Sequence, residues 1–304
     1  MRHSKGFSLV ELAVALAIIA LLLAGALIPL STQIDVRNVT DTQRAMESIR
    51  EAIVGFAQAN GRLPCPATGS IASGTAGAGT EMPSVPTAGN SCTNAVGVVP
   101  WATLGVPETD AWGRRFTYRV SPAFADAVSL TTWNTLGASP PAPAYAPPPL
   151  HLAQLVSSPA SPANQTPLCH LTAAPTFSSF ALCSLGDIAV FTRVATATPA
   201  VASGVALPAV IISHGKNGFG AFTPGGTTLA APVGADEIAN ATGTTQATPT
   251  GGYVSWAFFN RTQTPRASPC DDAAGPSFCE FDDVVVMITS NMLVARMVAA
   301  GRLP

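Results

Sequence analysis

Charged residues are scarce in this chain. They make up 11% of its 304 residues, and 17 acidic side chains slightly outnumber 15 basic ones, which gives a formal net charge of −2. Proteins that bind nucleic acids non-specifically neutralise phosphates with clustered Lys and Arg side chains. The composition therefore argues against a basic nucleic-acid-binding surface, and we expect no nucleic acid among the partners.

The chain also lacks the short motifs of common catalytic sites. It contains no G-x-S-x-G, no G-x-x-x-x-G-K-[ST] and no C-x-x-C. The neighbours Ser213 and His214 suggest a hydrolase, but a catalytic triad also needs an orienting acid brought to the same place. We therefore expect no enzyme activity, with a membrane-anchored hydrolase as a remote alternative.

Six cysteines occur, all of them on the C-terminal side of a long apolar segment. An even number without metal-type spacing indicates disulfides, formed in a compartment outside the cytoplasm. Several pairings are possible, and we favour the sequential set because each bridge then closes a short loop. The predicted pairs are Cys65–Cys92, Cys169–Cys183 and Cys270–Cys279.

The apolar segment runs from Phe7 to Leu30 and follows a short basic leader, residues 1–6. At ~1.5 Å per residue a helix over 7–30 is ~36 Å long, enough to cross a hydrocarbon core of ~30 Å. The basic leader favours a cytoplasmic N-terminus. No small-residue cleavage site follows the segment, so we expect it to be retained as a single span.

Glu11 is the one charged residue within this apolar segment. A carboxylate in a membrane helix is costly unless it is paired, so its default interpretation is functional. The stretch Gly6-Phe7-Ser8-Leu9-Val10-Glu11 resembles the type IV prepilin motif of type IV pilins and type II secretion pseudopilins. The resemblance implies cleavage between Gly6 and Phe7, N-methylation of Phe7, and pairing of Glu11 with the N-terminal ammonium of a neighbouring subunit.

The resemblance also implies a function and a set of partners. We expect a structural and assembly subunit of a type IV pilus or type II secretion pseudopilus, held in the inner membrane with a periplasmic head until it enters a filament. Its expected partners are other pilin subunits, contacted through the N-terminal helix, the prepilin peptidase and the inner-membrane assembly platform. Long loops favour a minor subunit. The alternative is an adhesin or substrate-binding module presented by the filament.

Residues 31–60 continue the helical pattern with an amphipathic character. An apolar stripe at helical spacing predicts packing on a globular head. Pro29 predicts a kink or a loosened turn, and Asn60-Gly61 predicts the end of the helix. The stripe consists of Val39, Met46, Ile49, Ile53 and Phe56.

The head, residues 61–304, reads as α+β, with the long helix packed on an antiparallel sheet of four or five strands. Three low-complexity segments, 66–100, 137–167 and 223–252, predict long loops. A short amphipathic helix, capped by Ser290 or Asn291, is predicted over 290–302. The predicted strands are 115–120, 187–194, 209–213, 253–259 and 283–289.

Two motifs of the head resemble segments of the same pseudopilins. Asp110-Ala-Trp-Gly113 resembles their D-x-W-G segment, and we interpret it as a structural turn. Residues 211–220 resemble their S-x-G-x-x-G loop, which lies near an acidic loop that binds calcium. A metal-free turn is favoured because Lys216 adds a positive charge, and calcium, the only cofactor considered, is the alternative. Its implied ligands are Asn217, Asp236, Glu237 and Asn240.

The acidic segment Phe281-Asp282-Asp283 stands immediately before the last predicted strand. We interpret it as a turn or a surface acidic pair. An interaction surface and a contribution to a metal site are the alternatives that remain.

Overall fold

The computed structural model describes residues 8–83, 92–125 and 177–303, except 181, 183, 185, 197–199 and 248–253; side chains at 22–32, 244–247, 254 and 255 are not described. The predicted cleavage junction between Gly6 and Phe7 lies outside the described residues. So do the predicted Cys169–Cys183 disulfide and the Pro-rich segment 137–167.

One helix, α1, spans Leu9–Asn60 and is 52 residues long. It continues through Pro29, where a kink or loosened turn was predicted. It ends at the predicted stop, because Gly61 adopts a φ of 73° in the left-handed region and its N–H donates to the carbonyl of Ala57. The single long helix expected from the sequence is therefore observed over the described residues.

The second half of α1 packs on the head along the predicted stripe. Met46, Ile49 and Ile53 are fully buried in the main core, whereas Val39 and Phe56 are half-buried. The stripe therefore has the structural role that its periodicity predicted.

The other elements described are four short helices and eight strands. The helices are α2 (Trp101–Leu104), α3 (Pro122–Ala125), α4 (Ala235–Thr242) and α5 (Ser290–Ala299). The strands are β1 (Val96–Val98), β2 (Thr117–Val120), β3 (Ile188–Thr192), β4 (Val201–Leu207), β5 (Ala209–Ser213), β6 (Thr244–Ala247), β7 (Val254–Phe259) and β8 (Val284–Ile288).

Two four-stranded sheets form the centre of the head. The first has the order β1-β2-β5-β8 and is antiparallel throughout. The second has the order β4-β3-β7-β6, in which β3 and β7 run parallel. The fold class is α+β, as expected, but the sheet of four or five strands predicted from the sequence is two sheets.

The alternation of side chains in β5 shows how the layers stack. Ile211 lies in the main core with α1 and α5, whereas Val210 and Ile212 lie in a second core with Ile188 and Phe258 of the other sheet. Successive side chains of a strand point to opposite faces, so the first sheet is covered on both sides. A third cluster covers the far face of the second sheet and includes Ala239 of α4.

Candidate functional site

The predicted assembly residue Glu11 lies in the first turn of α1. Its Oε2 accepts a hydrogen bond from the backbone N–H of Ser8 at 2.9 Å, and its own N–H donates to Ser8 Oγ at 3.3 Å. This reciprocal arrangement is a capping box. Both residues are exposed in the single chain, so the Glu11 carboxylate is accessible to a neighbouring subunit.

The first turns of α1 expose a long apolar surface. The large aliphatic side chains between Leu9 and Leu21 are each more than half exposed, with Leu9 at 85% and Leu21 at 76%. A contiguous apolar surface of this kind marks a contact with lipid or with protein. Among the described residues, no helix meets the length and apolarity required to cross a membrane. The span over 7–30 stays a prediction.

Asp110 organises the turn that the sequence predicted to be structural. Its Oδ1 accepts hydrogen bonds from the backbone N–H groups of Trp112 (3.0 Å) and Arg114 (2.9 Å), and its Oδ2 accepts one from Ser213 Oγ at 2.7 Å. Gly113 has a φ of 78°, which favours glycine at this place in the turn. Asp110 thus joins the turn to the end of β5.

Ser213 and His214 are both fully buried, and their side chains have different partners. Ser213 Oγ donates to Asp110, whereas His214 Nε2 lies 2.8 Å from Thr117 Oγ1. The geometry does not join the serine hydroxyl to the imidazole, as the hydrolase alternative requires.

Asp236, a predicted calcium ligand, is held by two arginines. Its Oδ1 lies 3.1 Å from Arg193 Nε, and its Oδ2 lies 2.8 Å from Arg261 Nε. Arg261 Nη2 also contacts Asp272 Oδ1 at 2.9 Å. Burial and the nearby Asp272 carboxylate raise the pKa of Asp236, and the two arginines oppose that rise. Both oxygens of Asp236 are therefore engaged in a structural ion-pair network.

Asn240, another predicted ligand, is engaged by the backbone of β7. Its Oδ1 accepts a hydrogen bond from the N–H of Phe259 at 2.7 Å, and its Nδ2 donates to the carbonyl of Phe259 at 2.9 Å. The same Nδ2 donates to Asp283 Oδ2 at 2.8 Å. The amide oxygen of Asn240 is thus used by the main chain.

Glu237 and Asn217 lie together, as the predicted site requires. Asn217 Nδ2 donates to Glu237 Oε1 at 2.9 Å, and the backbone N–H of Asn217 donates to Asp282 Oδ2 at 2.8 Å. Gly215, with a φ of 55°, permits this approach, because a Cβ there would lie 2.6 Å from Asp282 Cγ. The turn that follows β5 therefore lies directly against Asp282.

Glu237, Asp282 and Asp283 form what we term the acidic cluster. One carboxylate oxygen from each lies within 4.8 Å of the other two. Burial, followed by repulsion from Asp283, raises the pKa of Glu237 to about 7. Burial raises the pKa of Asp282 to about 6, although the N–H of Asn217 acts in the opposite direction.

The structure thus brings together two of the four predicted ligands and adds two others. Asn217 and Glu237 lie at the acidic cluster, while Asp236 and Asn240 are engaged elsewhere. The interpretation of Asp283 as a surface residue was wrong, because it is only 4% exposed. The sequence indicated this site only through two predicted strands, 209–213 and 283–289. In the structure Ser213 of β5 pairs with Val284 of β8, so the residues that follow Ser213 lie beside those that precede Val284.

Two disulfides are present among the described residues. Cys65 is bonded to Cys92, and Cys270 is bonded to Cys279. These bonds are two of the three pairs in the predicted sequential set. The second bond closes the loop that carries Asp272 toward Arg261.

Comparison with known families places the N-terminus in a defined class. The family model described as the prokaryotic N-terminal methylation motif matches residues 1–27. The chain therefore carries the prepilin-type signal of type IV pilins and pseudopilins, which are structural proteins. Its α+β architecture, with an N-terminal helix followed by antiparallel sheet, is consistent with the type IV pilin fold. No curated protein and no solved structure was found to match the chain.

Proposed function

We propose that the protein is a filament subunit of a type IV pilus or a type II secretion pseudopilus. One observation carries the proposal: the methylation motif at 1–27 leads without interruption into a helix that ends at Asn60. The first part of that helix is exposed and apolar, and the last part is buried against the head. A subunit needs both properties, because it must remain attached to its head while its apolar end packs with other chains.

Water is an unfavourable surrounding for the exposed end of α1. Burial of apolar surface contributes about 25 cal/mol per Å², so eight large aliphatic side chains between Leu9 and Leu21 strongly favour transfer out of water. Lipid before assembly and neighbouring helices after assembly both provide that environment. The proposal therefore includes an inner-membrane stage and a filament stage, with the head on the periplasmic side.

Processing is the first step that the proposal requires. The prepilin peptidase would cleave between Gly6 and Phe7, and the new N-terminus on Phe7 would be methylated. Its ammonium would then pair with Glu11 of a neighbouring subunit, because a charge is costly in an apolar surrounding unless an opposite charge is adjacent. The assembly platform of the inner membrane would add the processed subunit to the filament.

Intact mass and N-terminal sequence of the protein from its native membrane test this proposal. We expect the loss of residues 1–6 and the addition of one methyl group at Phe7. A Gly6→Val variant should retain its leader, whereas a Ser4→Ala variant should be processed like the parent chain. An unprocessed native N-terminus, or cleavage after the apolar segment, would overturn the proposal.

We further infer that the subunit is a minor one. The described head contains two four-stranded sheets and an additional helix layer, and such a bulky head is harder to accommodate at every position of a narrow filament than at its tip. Quantitative mass spectrometry of sheared filaments tests this inference. A copy number comparable to that of the most abundant pilin would contradict it.

A further inference from the structure

The edge strand β1 uses every second residue to bond to its neighbour β2. The carbonyl of Ala95 accepts a hydrogen bond from the N–H of Val120 at 3.0 Å, and the N–H of Val99 donates to the carbonyl of the residue before β2 at 3.0 Å. In an antiparallel pair, successive residues of a strand direct their hydrogen-bonding groups to opposite edges. The N–H and C=O groups of Val96 and Val98 therefore point away from β2, toward the outer edge of the first sheet.

This outer edge is paired at Val98 and open at Val96. Ala67 exchanges two hydrogen bonds with Val98, at 2.9 and 3.0 Å. The next rung of the antiparallel ladder would join Gly69 to Val96, and the two residues form no such bond. Among the described residues, the main-chain N–H and C=O of Val96 have no hydrogen-bond partner.

Arg115 explains why the ladder stops after Ala67. Its guanidinium group is fully buried, and Nη1 donates to the carbonyl of Gly69 at 2.7 Å and to that of Ile71 at 2.8 Å. These bonds hold residues 69–71 away from β1. A buried guanidinium without acceptors is costly, so the segment cannot close onto Val96 without a loss elsewhere. The opening beside Val96 is thus maintained by the fold.

A cleft of about 210 Å³ occupies this opening. The described side chains that line it carry no charge, and the polar ones are three hydroxyls and one amide. Its volume lies below the roughly 300–1,000 Å³ of sites for drug-sized molecules, so it suits a group of about one residue in size. The lining includes Thr68, Ser70, Asn94, Thr117, Phe222 and Ala241, together with Val96.

We propose that β1 and this cleft bind an extended, uncharged peptide segment of another protein. The peptide adds to the outer edge of β1, its main chain bonds to the N–H and C=O of Val96, and one of its side chains enters the cleft. In strand addition, main-chain hydrogen bonds give affinity and side-chain pockets give specificity. A charged side chain is disfavoured, because a buried charge needs a partner. The binding is separate from the proposed filament function and does not depend on it.

The open strand edge favours a peptide over a saccharide. Hydroxyl and amide side chains beside the ring of Phe222 offer contacts to either ligand. A donor and an acceptor on one residue of a strand edge match the acceptor and donor of an extended peptide, which is how antiparallel strands pair. The head would then present a recognition site, whereas α1 supplies the contacts proposed for assembly.

Selection from a random heptapeptide phage library tests the proposal on the full chain, purified in detergent with its disulfides intact. We expect enriched sequences with an uncharged central residue, and we titrate a synthetic peptide of the most enriched sequence by fluorescence anisotropy. Hydrogen exchange at the Val96 amide should slow at least about tenfold in the complex, because its N–H then donates to the peptide. Failure of the parent chain to bind any selected peptide would overturn the proposal.

Two variants test the strand edge and the cleft separately. Val96→Pro removes the outward N–H at a position where an edge strand tolerates proline, so we expect an unchanged Tm and at least about tenfold weaker peptide binding. Ala241→Leu fills the cleft and should weaken binding to a similar extent. Thr242→Leu is the matched control, because Thr242 is the next residue of α4 and is exposed, and it should bind the peptide like the parent chain.

Two results would contradict the assignment. Equal peptide affinity in Val96→Pro, Ala241→Leu and the parent chain would place the binding elsewhere. Slower exchange at the Val96 amide on addition of a monosaccharide from a test panel, without any peptide that binds, would replace the peptide by a saccharide. A chain that retains its leader but binds the selected peptide would contradict the filament function alone and leave this inference intact.

Discussion

Arg261 joins separate parts of the head through one buried guanidinium group. It contacts Asp236 at 2.8 Å and Asp272 at 2.9 Å, and it stacks over the rings of Phe278 and Phe281 at 4.4 Å each. Replacement by leucine would leave Asp272 buried without its cation. We therefore expect Arg261→Leu to lower the free energy of unfolding by about 3–5 kcal/mol, measured by urea denaturation of the detergent-purified chain.

Arg266 provides the matched control for that substitution. It is exposed, and we expect Arg266→Leu to change the free energy of unfolding by no more than about 0.5 kcal/mol. Equal losses in the two variants would show that the buried network does not stabilise the head as described.

Asp236 illustrates why the partners of a single side chain were harder to predict than a helix or a strand. Its two arginine partners are 43 and 25 residues away in the sequence, and no local pattern connects them. Asp236-Glu237 therefore reads as one acidic pair in the sequence. The helical geometry of α4 separates the two side chains, so that one meets arginines and the other meets Asp282 and Asp283.

Tyr118 allows a test of burial through alkaline titration. Its side chain is fully buried, and its hydroxyl donates to the carbonyl of Pro64 at 3.2 Å. Burial, with a contribution from Glu81, raises the pKa of Tyr118 well above its usual value of 10.0, although Arg62 opposes the shift. Above about pH 10 the unfolded state therefore releases a proton that the folded state retains. The free energy of unfolding consequently falls as the pH rises above about 10.

The tyrosinate absorbance of the folded chain measures this shift. We expect Tyr118→Phe to leave the titration curve of the folded protein unchanged up to the pH of alkaline unfolding, and to remove one titrating group only in urea. The described burial would be contradicted if the folded parent chain showed a tyrosine with an ordinary pKa that is missing from the titration of folded Tyr118→Phe.

At the scale of elements, α1 packs on the head through a small number of buried side chains. Ile53 is 0% exposed and lies in the main core, whereas Ile34 of the same helix is 54% exposed. We expect Ile53→Ala to lower the free energy of unfolding by about 2–5 kcal/mol and Ile34→Ala by less than about 0.5 kcal/mol. Thermal unfolding of the two variants, followed by circular dichroism, provides the comparison; equal effects would contradict the packing.

The elements that the sequence predicted are those with a strong local pattern. The long helix and β5 have clear periodicity or a continuous apolar run, and both were predicted at nearly their observed bounds. β4 was missed because its sequence, VASGVAL, contains small residues, and most of its side chains are exposed. Helix α4 was missed because it lies within a Gly-, Thr- and Ala-rich segment, so that packing on the second sheet decides its structure.

At the scale of the whole molecule, the difference between the two ends of α1 determines what the chain can do. One end of α1 is committed to the head by buried side chains, and the other end is exposed and apolar with Glu11 in its first turn. Glu11 therefore has two possible roles, since it completes a capping box in the single chain and could also pair with an ammonium group in a filament. Glutamine at this position separates the two roles, because it can close the same capping box but carries no charge.

We expect Glu11→Gln to be processed and retained in the membrane like the parent chain, but to enter filaments at least about tenfold less, because an unpaired charge in an apolar contact costs about 3–5 kcal/mol. The measurement is the amount of the protein in sheared filaments relative to the membrane fraction. Glu51→Gln is the control, since Glu51 lies on the same helix in a surface ion pair with Arg296 at 3.3 Å. Normal assembly of Glu11→Gln would restrict Glu11 to its capping role and remove charge pairing from the mechanism of assembly.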